Sequence, residues 1–341
     1  MKTSDEITVI EENKPVIDIL MGTYNGAKFI AEQIDSIINQ SYENWRLIIR
    51  DDGSTDNTVE IIKDYIKKYG DKMLLVESDG NIGSCRNFAY LMTISESDYI
   101  MFSDQDDVWE NNKIELSLQK LLEWERKCGK EVPILVHTDM RIVDENLTLM
   151  SESFWKTMRI LPDIDNSVNK IAVRNVVTGM TIIMNRSAVK VSLPVPPSAI
   201  MHDWWIAINV AKYGAIKHIN NRTVRYRQHG KNTIGTWIDY LYRPVLARKD
   251  LLKMLSDLSF SLDIDTLEIY SWYIHGRSFG DWQLKRLLRK KLRIYYHKAV
   301  KIKKWTERKI TNIVFGKKAF YQIDGISYID KKVINVSGWF Y

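Results

Sequence analysis

The N-terminal part of the chain alternates short apolar runs with amphipathic segments. Apolar runs at 16–21, 45–50, 73–76 and 99–102 predict strands, and the residues between them place apolar side chains at helical spacing. Strands that alternate with helices predict a mostly parallel sheet covered on both faces. With 341 residues and 45% hydrophobic content, the chain can bury a sizeable core. We therefore expect an α/β fold with a Rossmann-like, mostly parallel central sheet.

Polar residues follow three of these predicted strands at the point where each strand ends. The clusters after the first, second and fourth strands are Thr23-Tyr24-Asn25, Asp51-Asp52 and Asp104-Gln105-Asp106-Asp107. Ligands of parallel α/β sheets bind at the carboxyl ends of the strands. Each cluster alone is also typical of a loop or a helix cap, whereas three clusters at equivalent positions favour one shared binding crevice.

The acidic stretch after the fourth strand is a candidate metal site. It places three carboxylates within four residues. Two like charges at ~4 Å repel by about 4 kcal/mol at an effective dielectric constant of about 20, so such a cluster usually needs a cation or a shared proton. Hard cations such as Mg²⁺ bind one or two carboxylates together with substrate phosphates. A solvated acidic turn that caps the next helix is the alternative interpretation.

The segment His202-Asp203-Trp204-Trp205 begins a second stretch of possible chemistry. An Asp at a helix start is commonly an N-cap. The two neighbouring Trp rings favour another interpretation, because flat aromatic faces suit sugar rings and an adjacent carboxylate can accept a hydroxyl proton. The segment is therefore a candidate acceptor site with Asp203 as the base.

Two further loops carry weaker signals. Thr178-Gly179 precedes a predicted strand at 180–184, where glycine permits close approach of a ligand to the backbone, although an ordinary turn explains it equally well. A loop after a predicted strand at 224–227 contains His229 among amide and cationic side chains. That composition suits a metal–diphosphate group.

Taken together, these motifs resemble glycosyltransferase family 2, the inverting nucleotide-sugar transferases of GT-A fold, over residues 15–235. The resemblance rests on residues 21–26, 50–56, Asn81-Ile82-Gly83 with Arg86-Asn87, 104–107 and 202–204. The Ser-Asp-Gln-Asp-Asp form of the acidic stretch, with Tyr226-Arg227-Gln228-His229, is most similar to bacterial rhamnosyltransferases of cell-wall rhamnan and O-antigen synthesis. Many members have Glu-Asp where this chain has His202-Asp203.

The resemblance implies a role for each matched residue. The implied donor-binding residues are Thr23, Tyr24, Asn25, Asp51, Asp52, Arg86, Asp104 and Gln105. Asp106, with Asp104 and His229, would hold Mn²⁺ or Mg²⁺, and Asp203 would be the general base. The implied acceptor contacts are Thr178, Gly179, Trp204 and Trp205.

The resemblance also implies a reaction: transfer of L-rhamnose from dTDP-L-rhamnose to a cell-surface polysaccharide or a lipid-linked glycan. A transferase that uses a UDP-hexose or a UDP-N-acetylhexosamine is the alternative within the enzyme class. A non-enzymatic sugar-binding or scaffold subunit is the alternative of another class. A nucleotidyltransferase is disfavoured, because no glycine-rich loop bearing Arg or Lys follows the first strand.

The C-terminal part of the chain is strongly basic. Residues 281–318 carry fourteen Lys and Arg against two acidic residues, whereas the whole chain has a net charge of +6. The remainder is therefore acidic, which argues against nucleic-acid binding by the whole molecule. Apolar residues at helical spacing over 284–304 predict a basic amphipathic helix that contacts a membrane surface. Packing of this helix on its own domain or on a second subunit of a homo-oligomer is the alternative.

We expect four regions along the chain. They are a flexible tail at 1–14, a GT-A catalytic domain at 15–235, a helical basic region at 236–318 and a hairpin-like end at 319–341, which could begin a further domain. No apolar run is long enough to cross a bilayer and no leader is recognisable. Cys85 and Cys128 fit neither a disulfide framework nor a zinc site. The expected location is cytoplasmic, peripheral on the inner face of the cell membrane.

Overall fold

A computed structural model gives the three-dimensional structure. It describes residues 14–230, apart from 159, 163–167, 169–170 and 172–174. The predictions for the N-terminal tail, for the basic region at 236–318 and for the hairpin-like end at 319–341 fall outside the described residues, apart from Lys14 of the tail. Among the described helices, none is long and apolar enough to cross a membrane.

Nine strands and seven helices occur in the described part of the chain. The strands are β1 (Ile17–Thr23), β2 (Trp45–Asp51), β3 (Met73–Val76), β4 (Tyr99–Ser103), β5 (Val108–Trp109), β6 (Ile134–Val143), β7 (Leu149–Ser151), β8 (Ile183–Asn185) and β9 (Ala215–Arg227). The helices are α1 (Ile30–Ile38), α2 (Thr58–Tyr69), α3 (Ser84–Ile94), α4 (Lys113–Cys128), α5 (Phe154–Met158), α6 (Arg186–Ser192) and α7 (His202–Tyr213). Short 3-10 turns lie at Gly70–Lys72 and Gly179–Thr181.

The first four strands form a parallel sheet in the order β3-β2-β1-β4. The apolar side chains of β1, β2 and β4 are buried on both faces, which is the pattern expected of strands covered by helices, whereas the edge strand β3 is only partly buried. The register pairs Thr23 with Asp51 and Met21 with Ser103. The polar residues that follow β1, β2 and β4 therefore lie at one edge of the sheet, as the sequence predicts.

The sheet continues with strands of mixed direction, in the order β4-β8-β6-β9-β5, and β7 pairs with β6. β8 is antiparallel to both of its neighbours, β9 is parallel to β6, and β5 and β7 are antiparallel to their partners. Six of the nine described strands consequently run in one direction. The sheet is mostly parallel, and β6 and β7 form an antiparallel hairpin.

Three local differences separate this half of the sheet from the prediction. The strand expected at 180–184 is shorter, because the chain makes a 3-10 turn at Gly179–Thr181 before β8. The strand expected at 224–227 is only the end of β9, which has 13 residues. Helix α6 was not predicted, although the Asn185 side chain caps it by accepting a hydrogen bond from the Ala188 N–H.

Helix α7 brings the candidate base to the sheet. It begins at His202, as the sequence predicts, and most of its residues are buried. It packs against α3, α6 and β9. Because Asp203 lies in its first turn, the carboxylate benefits from the partial positive charge of the helix N-terminus.

Candidate active site

The loop after β1 is tied to the loop after β2 by side-chain hydrogen bonds. Thr23 Oγ1 donates to Asp51 Oδ1 at 2.8 Å, and Asp51 Oδ2 accepts the Ser54 N–H at 2.7 Å. Asn25 has a φ of +49°, a left-handed conformation that Asn tolerates better than most residues. Its N–H donates to Ser54 Oγ and its Oδ1 accepts the Thr55 N–H, both at 2.8 Å. Three predicted donor-binding residues, Thr23, Asn25 and Asp51, are therefore held together.

Tyr24 and Gln105 join this loop to the acidic loop. The Tyr24 N–H donates to Gln105 Oε1 at 2.8 Å, and Gln105 Nε2 donates to the Tyr24 carbonyl at 2.9 Å. The Tyr24 side chain itself is 49% exposed. Its ring is accessible to a ligand, while Gln105 is engaged with the backbone of the neighbouring loop.

Asp52 is a buried residue whose two carboxylate oxygens are both engaged. It pairs with Arg50 at 2.9 Å and accepts the N–H groups of Ile82 and Gly83 at 2.8 and 2.9 Å. These contacts position the loop that precedes α3. Direct contact of Asp52 with a donor remains a prediction. Arg86 follows this loop in the first turn of α3, where its side chain is exposed.

The acidic loop after β4 is connected to the end of β9. Asp106 Oδ2 lies 2.8 Å from His229 Nε2, and the Asp106 carbonyl accepts the Arg227 Nε–H at 2.7 Å. Asp107 is fully buried, and its Oδ1 accepts the Arg227 N–H at 2.9 Å. Asp107 is consequently a structural member of the acidic stretch, whereas Asp104 and Asp106 are only half-buried.

The electrostatics of this loop favour a cation. Burial, together with the charges of Asp106 and Asp203, raises the pKa of Asp104 to about 7. Burial also raises the pKa of Asp107 well above its usual range, and the charges of Asp106 and Asp104 contribute to this rise. A divalent cation would relieve this repulsion. The carboxylates of Asp104 and Asp106 therefore fit Mn²⁺ or Mg²⁺, whose remaining ligands would be waters and phosphate oxygens.

His229 contacts one of the two candidate metal ligands, Asp106. Within residues 14–230, as far as they are described, no group of three or more His, Cys, Asp or Glu side chains could hold a metal ion by itself. His229 is hydrogen-bonded to Asp106, and its ring lies 4.9 Å from that of Phe29. The structure gives His229 the position of a partner that orients the Asp106 carboxylate. Direct contact of His229 with the metal remains a prediction.

Asp203, near the start of α7, accepts hydrogen bonds from three other residues. Its Oδ2 accepts the Gly179 N–H at 3.0 Å, its Oδ1 accepts the Trp204 N–H at 2.6 Å, and the Asn175 side chain supplies the third. Burial raises the pKa of Asp203 to about 6, and these hydrogen bonds oppose the rise. A base with a pKa near the working pH combines correct protonation state with driving force for proton transfer. Asp203 therefore has the properties of a general base.

Asn175 was not singled out in the sequence. Its Oδ1 accepts the Val177 N–H at 3.0 Å, which is the pattern of an Asx turn. That bond fixes the amide, so its NH₂ group is the one left to donate to Asp203. The available signal was an Asn three residues before Thr178, which indicates a turn but not its target.

His202 is a packing residue beside the base. It is buried, and its ring stacks on Phe88 at 4.2 Å and lies 4.9 Å from the ring of Phe102. Burial lowers the pKa of His202 to about 3, so the imidazole is neutral. A Cβ at Gly179 would lie 3.0 Å from His202 Nε2, which explains the need for glycine there. Because burial makes this imidazole a weak proton acceptor, Asp203 is the stronger base of the His-Asp pair.

The two Trp residues have different surroundings. Trp204 is half-buried, and its Nε1–H donates to the Ile171 carbonyl at 2.7 Å. Trp205 is only 8% exposed, and its Nε1–H donates to the Ser192 carbonyl of α6 at 2.7 Å. Trp205 therefore belongs to the core and does not offer the flat sugar-facing surface that was expected of it. Trp204 and the half-exposed Thr178 remain candidates for acceptor contact.

The residues predicted to share a crevice do converge. The ends of β1, β2 and β4 lie side by side, and the charge of Asp203 acts on Asp104. Residues 18–158 match the model of the family described as "Glycosyl transferase family 2". This segment is a glycosyltransferase family 2 domain. The domain carries every candidate donor and metal residue except His229, whereas Asp203 lies beyond residue 158.

Two curated relatives are similar in sequence to part of this chain. The putative glycosyltransferase EpsE of Bacillus subtilis (strain 168) is 32% identical over 151 residues, which are 44% of this chain and 49% of EpsE. The dTDP-rhamnosyl transferase RfbG of Shigella flexneri is 27% identical over 254 residues, which are 70% of this chain and 84% of RfbG. The chain spans about half the length of the first curated relatives that it matches.

A solved structure resembles the chain over a longer stretch. The mannosyltransferase PcManGT from Pyrobaculum calidifontis, in complex with GDP-Man and Mn²⁺, matches with a TM-score of 0.51 at 15% identity. The match covers 83% of this chain and 82% of PcManGT. At this identity the likeness shows the fold alone. The glycosyltransferase family 2 domain therefore lies in a mixed α/β fold of GT-A type, as expected from the sequence.

Proposed function

We propose that this protein is an inverting, metal-dependent glycosyltransferase that moves a sugar from a nucleotide-sugar donor to a hydroxyl group of a glycan. The observation that carries the proposal is the position of Asp203 near the end of β4: the ring of the preceding residue, His202, lies 4.9 Å from that of Phe102, two residues before Asp104. Asp203 lies close enough to Asp104 for its charge to raise the Asp104 pKa. A candidate base near a candidate metal site supports direct displacement at a sugar carbon.

Different residues of the described part of the chain have different roles in such a displacement. Thr23, Asn25 and Asp51 form a polar loop that binds the nucleoside, and the exposed ring of Tyr24 packs on its base. Asp104 and Asp106 would hold the metal ion, which would supply positive charge to the diphosphate leaving group. Asp203 accepts the proton of the acceptor hydroxyl as that oxygen attacks the anomeric carbon from the opposite face. The configuration at that carbon inverts.

The proposed donor is dTDP-L-rhamnose, and the proposed acceptor is a cell-surface polysaccharide or a lipid-linked glycan. The support is the likeness to RfbG, which is named a dTDP-rhamnosyl transferase and aligns over 254 residues. A UDP-hexose or UDP-N-acetylhexosamine donor is the alternative, because 27% identity leaves the sugar-selecting loops free to differ.

The test is a panel of nucleotide sugars, scored for slow hydrolysis of the donor, which needs no knowledge of the acceptor. We expect dTDP-L-rhamnose to be hydrolysed in the presence of Mn²⁺ or Mg²⁺ and to be spared in EDTA. If a UDP-sugar is hydrolysed and dTDP-L-rhamnose is not, the donor is that UDP-sugar. Failure of a folded full-length chain to bind or hydrolyse any member of the panel would favour the non-enzymatic sugar-binding or scaffold role.

The proposal extends to the membrane. Residues 284–304, which lie outside the described residues, form the basic amphipathic segment, and each Lys or Arg near an anionic surface contributes ~1 kcal/mol of attraction. The full chain should co-sediment with anionic vesicles at low salt and be released by added salt. Absence of binding at low salt would contradict a peripheral location on the inner face of the membrane. Association of the chain with itself under those conditions would favour the homo-oligomer.

A further inference from the structure

Gln105 occupies an unusual position between the two candidate metal ligands. The charge of Asp203 acts on its neighbour Asp104, and His229 is hydrogen-bonded to its neighbour Asp106. The Gln105 amide instead makes both of its hydrogen bonds with the main chain of Tyr24, at 2.8 and 2.9 Å. The amide therefore accepts from the N–H and donates to the carbonyl of the same residue, as the main chain of a paired β-strand does. Gln105 thus joins the metal loop to the loop that carries the exposed Tyr24 ring.

Gly26 leaves the space that the Gln105 side chain occupies. A Cβ at Gly26 would lie 2.3 Å from Gln105 Oε1 and 2.4 Å from its Cδ, so any larger residue at position 26 would displace the amide. The Gly26 N–H donates to Thr58 Oγ1 at 2.8 Å, which holds this loop from its other side. Gly26 does not have a positive φ, so the reason for glycine here is space and not backbone conformation.

We infer that Gln105 is a positioning residue that couples the binding of a nucleoside diphosphate to the binding of the divalent metal ion. This inference rests on the proposed function, since it names what Gln105 does within the same site. With the Tyr24 loop fixed against the metal loop in advance, binding of the nucleotide loses less conformational entropy. A metal ion that orders Asp104 and Asp106 also orders Gln105 and, through it, Tyr24. Coupling of this kind is reciprocal between the two ligands.

The test measures the affinity of dTDP and of UDP by calorimetry, with and without Mn²⁺, in the full chain, in three single variants and in one double variant. Gln105→Ala should weaken binding of the nucleotide in Mn²⁺ about tenfold, because two hydrogen bonds that pre-order the loop are lost. The affinity for Mn²⁺ alone should change less than about twofold, since Asp104 and Asp106 are retained. Gln119→Ala is the matched control, because Gln119 is exposed on α4 and should leave both affinities unchanged.

The third variant separates positioning from general damage. Gly26→Ala should weaken nucleotide binding as Gln105→Ala does, whereas adding Gly26→Ala to Gln105→Ala should cause no further loss, because the obstructing amide is gone. The inference is overturned if the wild-type chain binds nucleotide and Gln105→Ala binds it equally well, or if the two losses simply add. A wild-type chain that binds neither nucleotide would overturn the proposed function, and that result is recognised without any variant.

Discussion

Asp203 Oδ2 accepts a hydrogen bond of 3.0 Å from the backbone N–H of Gly179. This bond places the only charged member of the His-Asp pair against the turn that precedes β8. The carboxylate is therefore oriented by backbone that belongs to a different part of the chain. Its orientation depends on the turn at Gly179–Thr181 as much as on helix α7.

The first prediction concerns the base itself. Asp203→Asn keeps the size of the side chain but removes its capacity to accept a proton, so turnover should fall by about 10²–10⁴-fold. The affinity for the nucleotide sugar should remain close to that of the wild type, because Asp203 is not among the donor contacts. Steady-state transfer and calorimetry on the same preparation measure both quantities. Turnover near that of the wild type in a folded variant would remove Asp203 from this role.

The second prediction concerns pH. The base must be ionised, so turnover should rise with pH through the Asp203 pKa of about 6 and then level off. Asn175 hydrogen-bonds the ionised carboxylate and lowers its pKa. Asn175→Ala should therefore shift the rising limb of the pH–rate profile to higher pH while activity on the plateau is largely retained. An unchanged limb would show that Asn175 does not act on the base.

The third prediction compares two residues near the metal. Asp106→Ala should abolish the dependence of donor binding on Mn²⁺, because a carboxylate ligand is lost. His229→Ala should weaken Mn²⁺ binding by roughly 10–100-fold, the usual effect of removing a partner that orients a ligand. Calorimetric titration with Mn²⁺ in the presence of dTDP distinguishes the two. Equal and complete loss in both variants would assign His229 as a direct ligand.

The fourth prediction concerns space around the base. A methyl group at Gly179 would lie 3.0 Å from His202 Nε2 and 3.7 Å from Asp203 Cβ, closer in the first case than most side-chain contacts allow. Gly179→Ala should lower the free energy of unfolding by about 1–3 kcal/mol, the usual cost of overpacking. Denaturant unfolding measures this cost. Gly230→Ala, where a Cβ would meet no described atom within 4 Å, is the control.

The sequence predicts the half of the fold that carries the donor loops. Strands β1 to β4 are apolar runs bounded by turn residues, so periodicity alone locates them and the strand-end rule then locates Asp51 and Asp104. Strand β9 was predicted only in its last residues, because its first part contains Lys217, His218 and Arg222. Those residues are extended because they pair with β6, which is a tertiary effect that overrides local composition.

Side-chain roles were harder to predict than positions. Trp205 was expected to face a sugar, yet α7 is buried around most of its surface, so helical periodicity does not distinguish its crevice side from its core side. The bonds from Gln105 to Tyr24 span 81 residues of sequence, and nothing local indicates them. Asn175 similarly acts on a carboxylate 28 residues away. Contacts of this kind are visible only once the chain is folded.

The enclosure of His202 between Phe88 and Phe102 has a consequence for the acceptor. Because its imidazole stays neutral, the His202-Asp203 pair carries at most one negative charge at neutral pH. A Glu-Asp pair at the same positions could carry two. The electrostatic work of bringing an anionic molecule, such as a phosphate-bearing glycan, up to the start of α7 is correspondingly smaller in this chain.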